Sequence, residues 1–266
     1  MFDGATYAQA QLFLTTLVMT QPRILTLCIM LPMFNRQVLP GMLRYAISAA
    51  IGLLLVPMLA PEYATLDLRI LELVLILVKE VFIGLVLGLL AAIPFWIFEA
   101  VGFIVDNQRG ASMGSILNPA TGDDSSPLGI LFNQAFIVFF LVSGGFSLTL
   151  TVLYDSFRLW DIWSWTPTLR QETAPLMLDQ FSRLMRLTLL WAAPAVIAMF
   201  LAELGLALAS RFAPQLQVFF LAMPIKSALA LLVLVLYMST LFGYAQQTND
   251  DVQTILPFLD NQWRAP

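Results

Sequence analysis

Five ionisable side chains stand inside long apolar runs of this sequence: the neighbours Lys79 and Glu80, then Glu99, Glu203 and Lys226. A charge at the centre of a bilayer costs several kcal/mol, so such groups face protein or water and are commonly functional. The chemistries open to them are proton transfer, counter-ion pairing and acid–base catalysis. Two carboxylates can share acid and base roles, as in glycosidases, but nothing in the spacing brings two together. The 266 residues include no histidine, which removes the usual general base near neutral pH and the commonest transition-metal ligand. There is no H-E-x-x-H, no cysteine pair for zinc and no phosphate-cradling G-x-x-x-x-G-K. Cys28 is the single cysteine; it lies in an apolar run and reads as a small buried hydrophobe. The expectation is therefore no catalytic residue, no cofactor and no metal. An intramembrane enzyme acting on lipid or peptide would need positioned acid and base partners, which scattered carboxylates do not offer.

Lys79-Glu80 admits two readings, a proton relay or a pair neutralised by partners on other helices. Adjacent helix positions point about 100° apart, so the two are not expected to pair well with each other. Lys226, two residues after Pro224, is expected to donate to carbonyls that the proline frees.

The elements that must hold these groups are helices. Apolar residues make up 59% of the chain and charged residues 11%, against about 45–50% and 25% in soluble domains. The solvent for so much hydrocarbon must be lipid or other protein. Net charge is −4 and no basic cluster exists, which excludes a nucleic-acid face. Apolar stretches cover 8–34, 42–60, 70–105, 128–153, 186–210 and 212–245, and a crossing needs about 20 residues. Barrel-like alternation is absent, so the predicted fold is all-α, with long kinked helical hairpins in a membrane. Helical throughout, 70–105 would reach about 54 Å, more than one crossing requires. Pro22, Pro32, Pro57, Pro94, Pro194 and Pro224 interrupt five stretches, and Ser143-Gly144-Gly145 sits in the remaining one. Kinks are expected at Pro94, Pro194 and Pro224. Each frees a backbone carbonyl that neighbours must satisfy, which suggests burial against other protein. Gly84 and Gly88 form a GxxxG that admits a close helix. The first ten residues carry Asp3 and no base, unlike a secretory signal, so the first apolar segment is expected to be retained.

Two connections stand out. Residues 106–127 are polar and Gly-rich but carry Met113, Ile116 and Leu117; loops this long tend to be functional or disordered. Residues 154–185 gather Asp155, Arg158, Asp161, Arg170, Glu172, Asp179 and Arg183, with Trp160, Trp163 and Trp165 resembling interfacial anchors. This connection divides the chain into 1–153, with four apolar segments, and 186–266, with two. Lys and Arg are spread too evenly over the connections to give an orientation.

The run Pro214-Gln215-Leu216-Gln217-Val218-Phe219-Phe220-Leu221-Ala222-Met223-Pro224-Ile225-Lys226 resembles the signature of the SctT/FliR family, export-gate subunits of type III secretion systems and flagella. So do Glu80 with Gly84 and Gly88, Asp106-x-Gln108-x-Gly110, Asn118-Pro119 and Ser126-Pro127-Leu128-Gly129. The resemblance spans roughly 10–245, and Met-Pro-Ile-Lys-Ser is closer to the injectisome branch than the flagellar one. Lys79 beside Glu80 departs from the pattern.

The resemblance implies a bacterial inner-membrane location, with the assembled protein lifted toward the periplasm. It implies a cone-shaped helical assembly with SctR/FliP-like and SctS/FliQ-like subunits, alongside SctU/FlhB-like and SctV/FlhA-like components. The first half would be SctR-like and the second an SctS-like hairpin. Loop 106–127 would act as a plug, through Asp106, Gln108, Arg109, Gly110, Met113, Gly114, Ile116, Leu117, Asn118 and Pro119. The expected activity is passage of unfolded polypeptides, with lipid as a further contact. The competing expectation is an autonomous small-solute transporter, since broken helices suit such folds and Glu80, Glu99 and Glu203 could couple protons. No clear inverted repeat supports it.

Overall fold

The computed structural model describes residues 4–35, 39–63, 69–111, 126–163, 173–212, 218–253, 255 and 257. Every regular element among them is helical: α1 (Gly4–Met30), a 3-10 turn (Pro32–Phe34), α2 (Gly41–Leu53), α3 (Val56–Tyr63), α4 (Ile70–Arg109), α5 (Pro127–Val142), α6 (Gly145–Leu159), α7 (Thr173–Phe212) and α8 (Val218–Gln253). The all-α expectation holds. Four helices are long and apolar enough to cross a membrane, and α5 with α6 makes a broken fifth candidate.

The breakers act unequally. Pro94, Pro194 and Pro224 lie inside α4, α7 and α8, each an uninterrupted helix of 36 to 40 residues. At 1.5 Å per residue α4 is about 60 Å long. Among the described residues the α-helix is interrupted within an apolar stretch at Leu31, at Leu54-Leu55 and at Ser143-Gly144. There Gly144 adopts φ +82°, a left-handed backbone that side chains resist and glycine accepts.

The polar connections are shorter than the sequence suggested. Helix α4 continues through Asp106–Arg109 and α5 begins at Pro127. Likewise α6 reaches Leu159 and α7 starts at Thr173. Charge misled at both places, because Asp155 and Arg158 are an exposed i,i+3 pair on a helix rather than loop residues.

Two compact units emerge. The first comprises Met1–Ala92, Gly144–Leu176 and Asp251–Pro266; the second comprises Ile93–Ser143 and Met177–Asp250. Helix α4 supplies residues to each, changing unit beside Pro94. In the first unit α1 lies directly on α4. A Cβ at Gly84 would run into the carbonyl oxygen of Arg23, and one at Gly88 would come within 2.8 Å of Met30 Cβ. The GxxxG thus serves close helix packing. The second unit is built on rings: Phe95 meets Phe136 edge-on at 4.8 Å, Phe98 stacks on Phe136 at 4.5 Å and meets Trp191 at 5.4 Å, and Trp191 stacks on Tyr244. Such pairs add about 0.5–1.5 kcal/mol each beyond area burial.

Candidate functional site

Glu80 is fully buried in the first unit, and its partner is a residue the sequence reading passed over. Arg23, also fully buried, follows Pro22 in the middle of α1. Its Nε donates to Glu80 Oε2 at 2.7 Å and its Nη2 to Glu80 Oε1 at 2.9 Å, the two-pronged fit that a guanidinium makes with a carboxylate. The remaining donors turn to α6, where Nη1 bonds Ser156 Oγ at 3.1 Å and Nη2 the Trp160 carbonyl at 3.0 Å. The Phe157 ring lies 4.0 Å beneath the guanidinium, a cation–π contact.

Lys79 completes the cluster. Its Nζ reaches Glu80 Oε1 at 3.1 Å, the Asp161 carbonyl at 3.0 Å and the Ile162 carbonyl at 2.7 Å. The expectation that Lys79 and Glu80 would not pair is therefore corrected. Their Cβ atoms diverge, but the four-carbon lysine stem spans the gap. The carbonyls that accept from both cations belong to residues just past the end of α6. A helix C-terminus leaves carbonyls unbonded and carries partial negative charge. Trp160 and Trp163 are 6% and 8% exposed, so they line this cluster's surroundings rather than anchor an interface; Trp165 lies outside the described residues. All three Lys79 donors are engaged and the Arg23–Glu80 pair is sealed from solvent. This favours a buried neutralised pair over a proton relay.

Asp106 organises the second unit's polar corner. It is 2% exposed, and its Oδ2 accepts from Ser126 Oγ at 2.6 Å and Leu128 N at 2.9 Å. Its Oδ1 meets Arg109 Nη2 at 2.7 Å, while its backbone carbonyl accepts from Ala111 N. Ser126 caps α5 by accepting from Gly129 N. Gly110 turns the chain out of α4 at φ +86°, and a Cβ added there would lie 3.8 Å from the Met223 side chain of the signature run. Helices α4 and α5 touch backbone to backbone, because a Cβ at Gly102 would lie 2.5 Å from Gly129 N. One carboxylate thus ties the end of α4 to the start of α5. Gln108 is half-buried nearby. Met113, Gly114, Ile116, Leu117, Asn118 and Pro119 lie outside the described residues.

The other charges are less enclosed. Glu99 is exposed and receives one hydrogen bond, from Asn133 Nδ2 at 3.0 Å. Lys226 donates to Glu203 Oε2 at 3.2 Å, not to backbone freed at Pro224. A carboxylate within reach outcompetes neutral carbonyls for an ammonium. Glu203 remains 50% exposed. Among the described residues no group of His, Cys, Asp and Glu is placed to hold a metal.

A buried ion pair, a glycine-packed helix crossing and a carboxylate clamp hold the described helices together. The sequence profile of bacterial export proteins, family 1, matches residues 14–252. The chain belongs to this family. This family 1 export protein is 40% identical over 252 residues to the Yop proteins translocation protein T of Yersinia pestis, covering 93% of this chain and 96% of that one. It is 35% identical to the surface presentation of antigens protein SpaR of Salmonella typhimurium, over 82% and 80% of the two chains. It is 30% identical to the flagellar biosynthetic protein FliR of Bacillus subtilis, over 62% and 64%. The SctT/FliR resemblance is thereby established, and these injectisome relatives match over more of the chain than that flagellar one. The family 1 chain is a type III secretion export protein with membrane-length helices.

Proposed function

We propose that this chain is a subunit of the type III secretion export gate, forming and closing the portal through which unfolded proteins leave the cell. The observation that carries the proposal is the Asp106 clamp. It fixes the departure and return of the polar segment at one corner of a rigid helical frame. That is the support a plug needs, because a closing element must return to one position. Met113, Ile116 and Leu117 would seal a narrow lumen against small solutes. The chain would work in the bacterial inner membrane, lifted toward the periplasm in a cone with SctR/FliP-like and SctS/FliQ-like subunits and alongside SctU/FlhB-like and SctV/FlhA-like components. Residues 186–266 would be its SctS-like half and residues 1–153 its SctR-like half, joined by 154–185.

Deleting residues 110–120 in the assembled complex tests the plug. The expected result is a rise in ion leak across reconstituted membranes while complex recovery stays normal. An unchanged leak from an intact complex would remove the plug role.

A further inference from the structure

We infer that the exposed carboxylate of Glu99 is a docking point for a helix of another membrane polypeptide, apolar except for a basic side chain set against Glu99. The inference rests on the reading of this chain as one subunit of a larger assembly.

Glu99 lies on α4 ten residues before its end, about 15 Å along the helix, well inside a span of membrane length. It is exposed, and its only described polar contact is the amide of Asn133 on α5, which donates to Oε2. No described Lys or Arg forms an ion pair with it: within the same unit Arg109 serves Asp106, Lys226 serves Glu203, and none of Arg183, Arg186 and Arg211 pairs with Glu99. The Asn133 Oδ1 is buried and likewise lacks a donor. Around this polar spot the surface is apolar, with Phe103, Ile130 and Leu131 at 45%, 47% and 54% exposure.

Acyl chains would cover the rings and leucines but leave the carboxylate without a donor, at a cost of several kcal/mol. Water would satisfy the carboxylate and leave the apolar surface wet. A helix with an apolar face and one cation answers both demands. It buries the surrounding hydrocarbon, and the cation supplies the missing hydrogen bond and charge. Gln134, exposed one position beyond Asn133, can bond the backbone or a polar side chain of the same visitor.

The test places a photo-cross-linking residue at Phe103 and, separately, at Leu131 in the intact membrane assembly, then identifies what is captured by mass spectrometry. Both positions should capture one partner helix containing a Lys or Arg. E99K should lower recovered complex by at least about tenfold, the scale expected when a desolvated charge pair turns repulsive. Changing the captured basic residue to Glu should restore it. The E99Q variant, of equal size, should lose several-fold and guards against misfolding of E99K. Capture of lipid alone at both positions, or wild-type recovery of complex with E99K and E99Q, would overturn the docking point and leave the export reading standing. A wild-type chain that purifies alone and moves small solutes across liposomes would instead overturn the export reading. Capture at 103 and 131 would still decide the docking point.

Discussion

In the first unit Arg23, Lys79 and Glu80 satisfy one another, with help from Ser156 and the carbonyls past α6, and the side chains of Arg23 and Glu80 are both closed to solvent. In the second unit Glu99 and Glu203 each keep a single described partner and remain exposed. Glu203 and Lys226 also stand on barer helices, whereas Glu99 is on the second-unit part of α4. Buried residues make up 39% and 44% of the most apolar windows of α1 and α4, but only 17% of those of α7 and α8. Ionisable groups in greasy helices are thus handled in two ways. Where the chain's own helices surround the charge, it is neutralised internally and holds three helices together. Where the helices stand bare, the charge is left for something outside the chain to complete.

The largest effect should come from breaking the closed cluster. Glu80→Ala leaves Arg23 and Lys79 buried together without their anion, and removing one member of such a group costs about 3–5 kcal/mol. Chemical denaturation of the purified protein in detergent measures it. Arg23→Met should cost less, because Lys79 still neutralises Glu80. Equal losses from the two would show that Lys79 takes no part in the balance.

Next is Gly84→Val. The added carbons meet the Arg23 backbone rather than a movable side chain, so the penalty should be about 1–3 kcal/mol from overpacking. The same denaturation assay reads it. Gly205→Val on α7, where nothing lies within 4 Å, should be tolerated in the isolated chain. A comparable loss at both sites would erase the distinction between the packed and the bare helices.

Asp106→Ala should cost about 1–3 kcal/mol, because Leu128 N and Ser126 Oγ lose a charged acceptor and Arg109 its counter-ion. Asp106→Asn should recover part of the loss, since an amide oxygen can still accept from Leu128 N. Smallest of all, Glu203→Gln should change stability by about 1 kcal/mol or less, as half-exposed pairs do. A large loss there would place Glu203 among the enclosed charges and blur the contrast.

Much of the fold was legible because 20-residue apolar runs admit few structures in a membrane, and the helices fall where the runs do. The misreadings share one cause. A single sequence shows which residues are polar but not what covers them. Arg23 went unnoticed beside Pro22 because an arginine near a helix breaker resembles a segment boundary, although one basic residue amid apolar neighbours was the available signal. Charged neighbours make Trp160 and Trp163 resemble interfacial rings, yet Arg23 and Lys79 draw the backbone carbonyls of Trp160, Asp161 and Ile162 inward. Pro224, close to Lys226 in sequence, points to freed carbonyls as its acceptors, whereas Glu203, 23 residues earlier, is adjacent in space. Asp106 and Ser126-Pro127 were visible as family motifs. Their mutual hydrogen bonds were not, because pairing across 20 residues of intervening chain is a property of the folded corner alone.

The central claim is that α7 and α8 are covered by neighbouring polypeptide, and labelling with a carbene probe dissolved in the acyl phase tests it most directly. Isolated protein in bilayers should label heavily at Phe200, Leu208, Val235 and Leu236, which are 52–73% exposed, while Ile83 and Leu87 beside the buried cluster stay unlabelled. On incorporation into the complete secretion complex, labelling of α7 and α8 should fall several-fold and the cluster should not change. Equal labelling of these two helices in the free and assembled states would show that lipid is their solvent and would contradict the account.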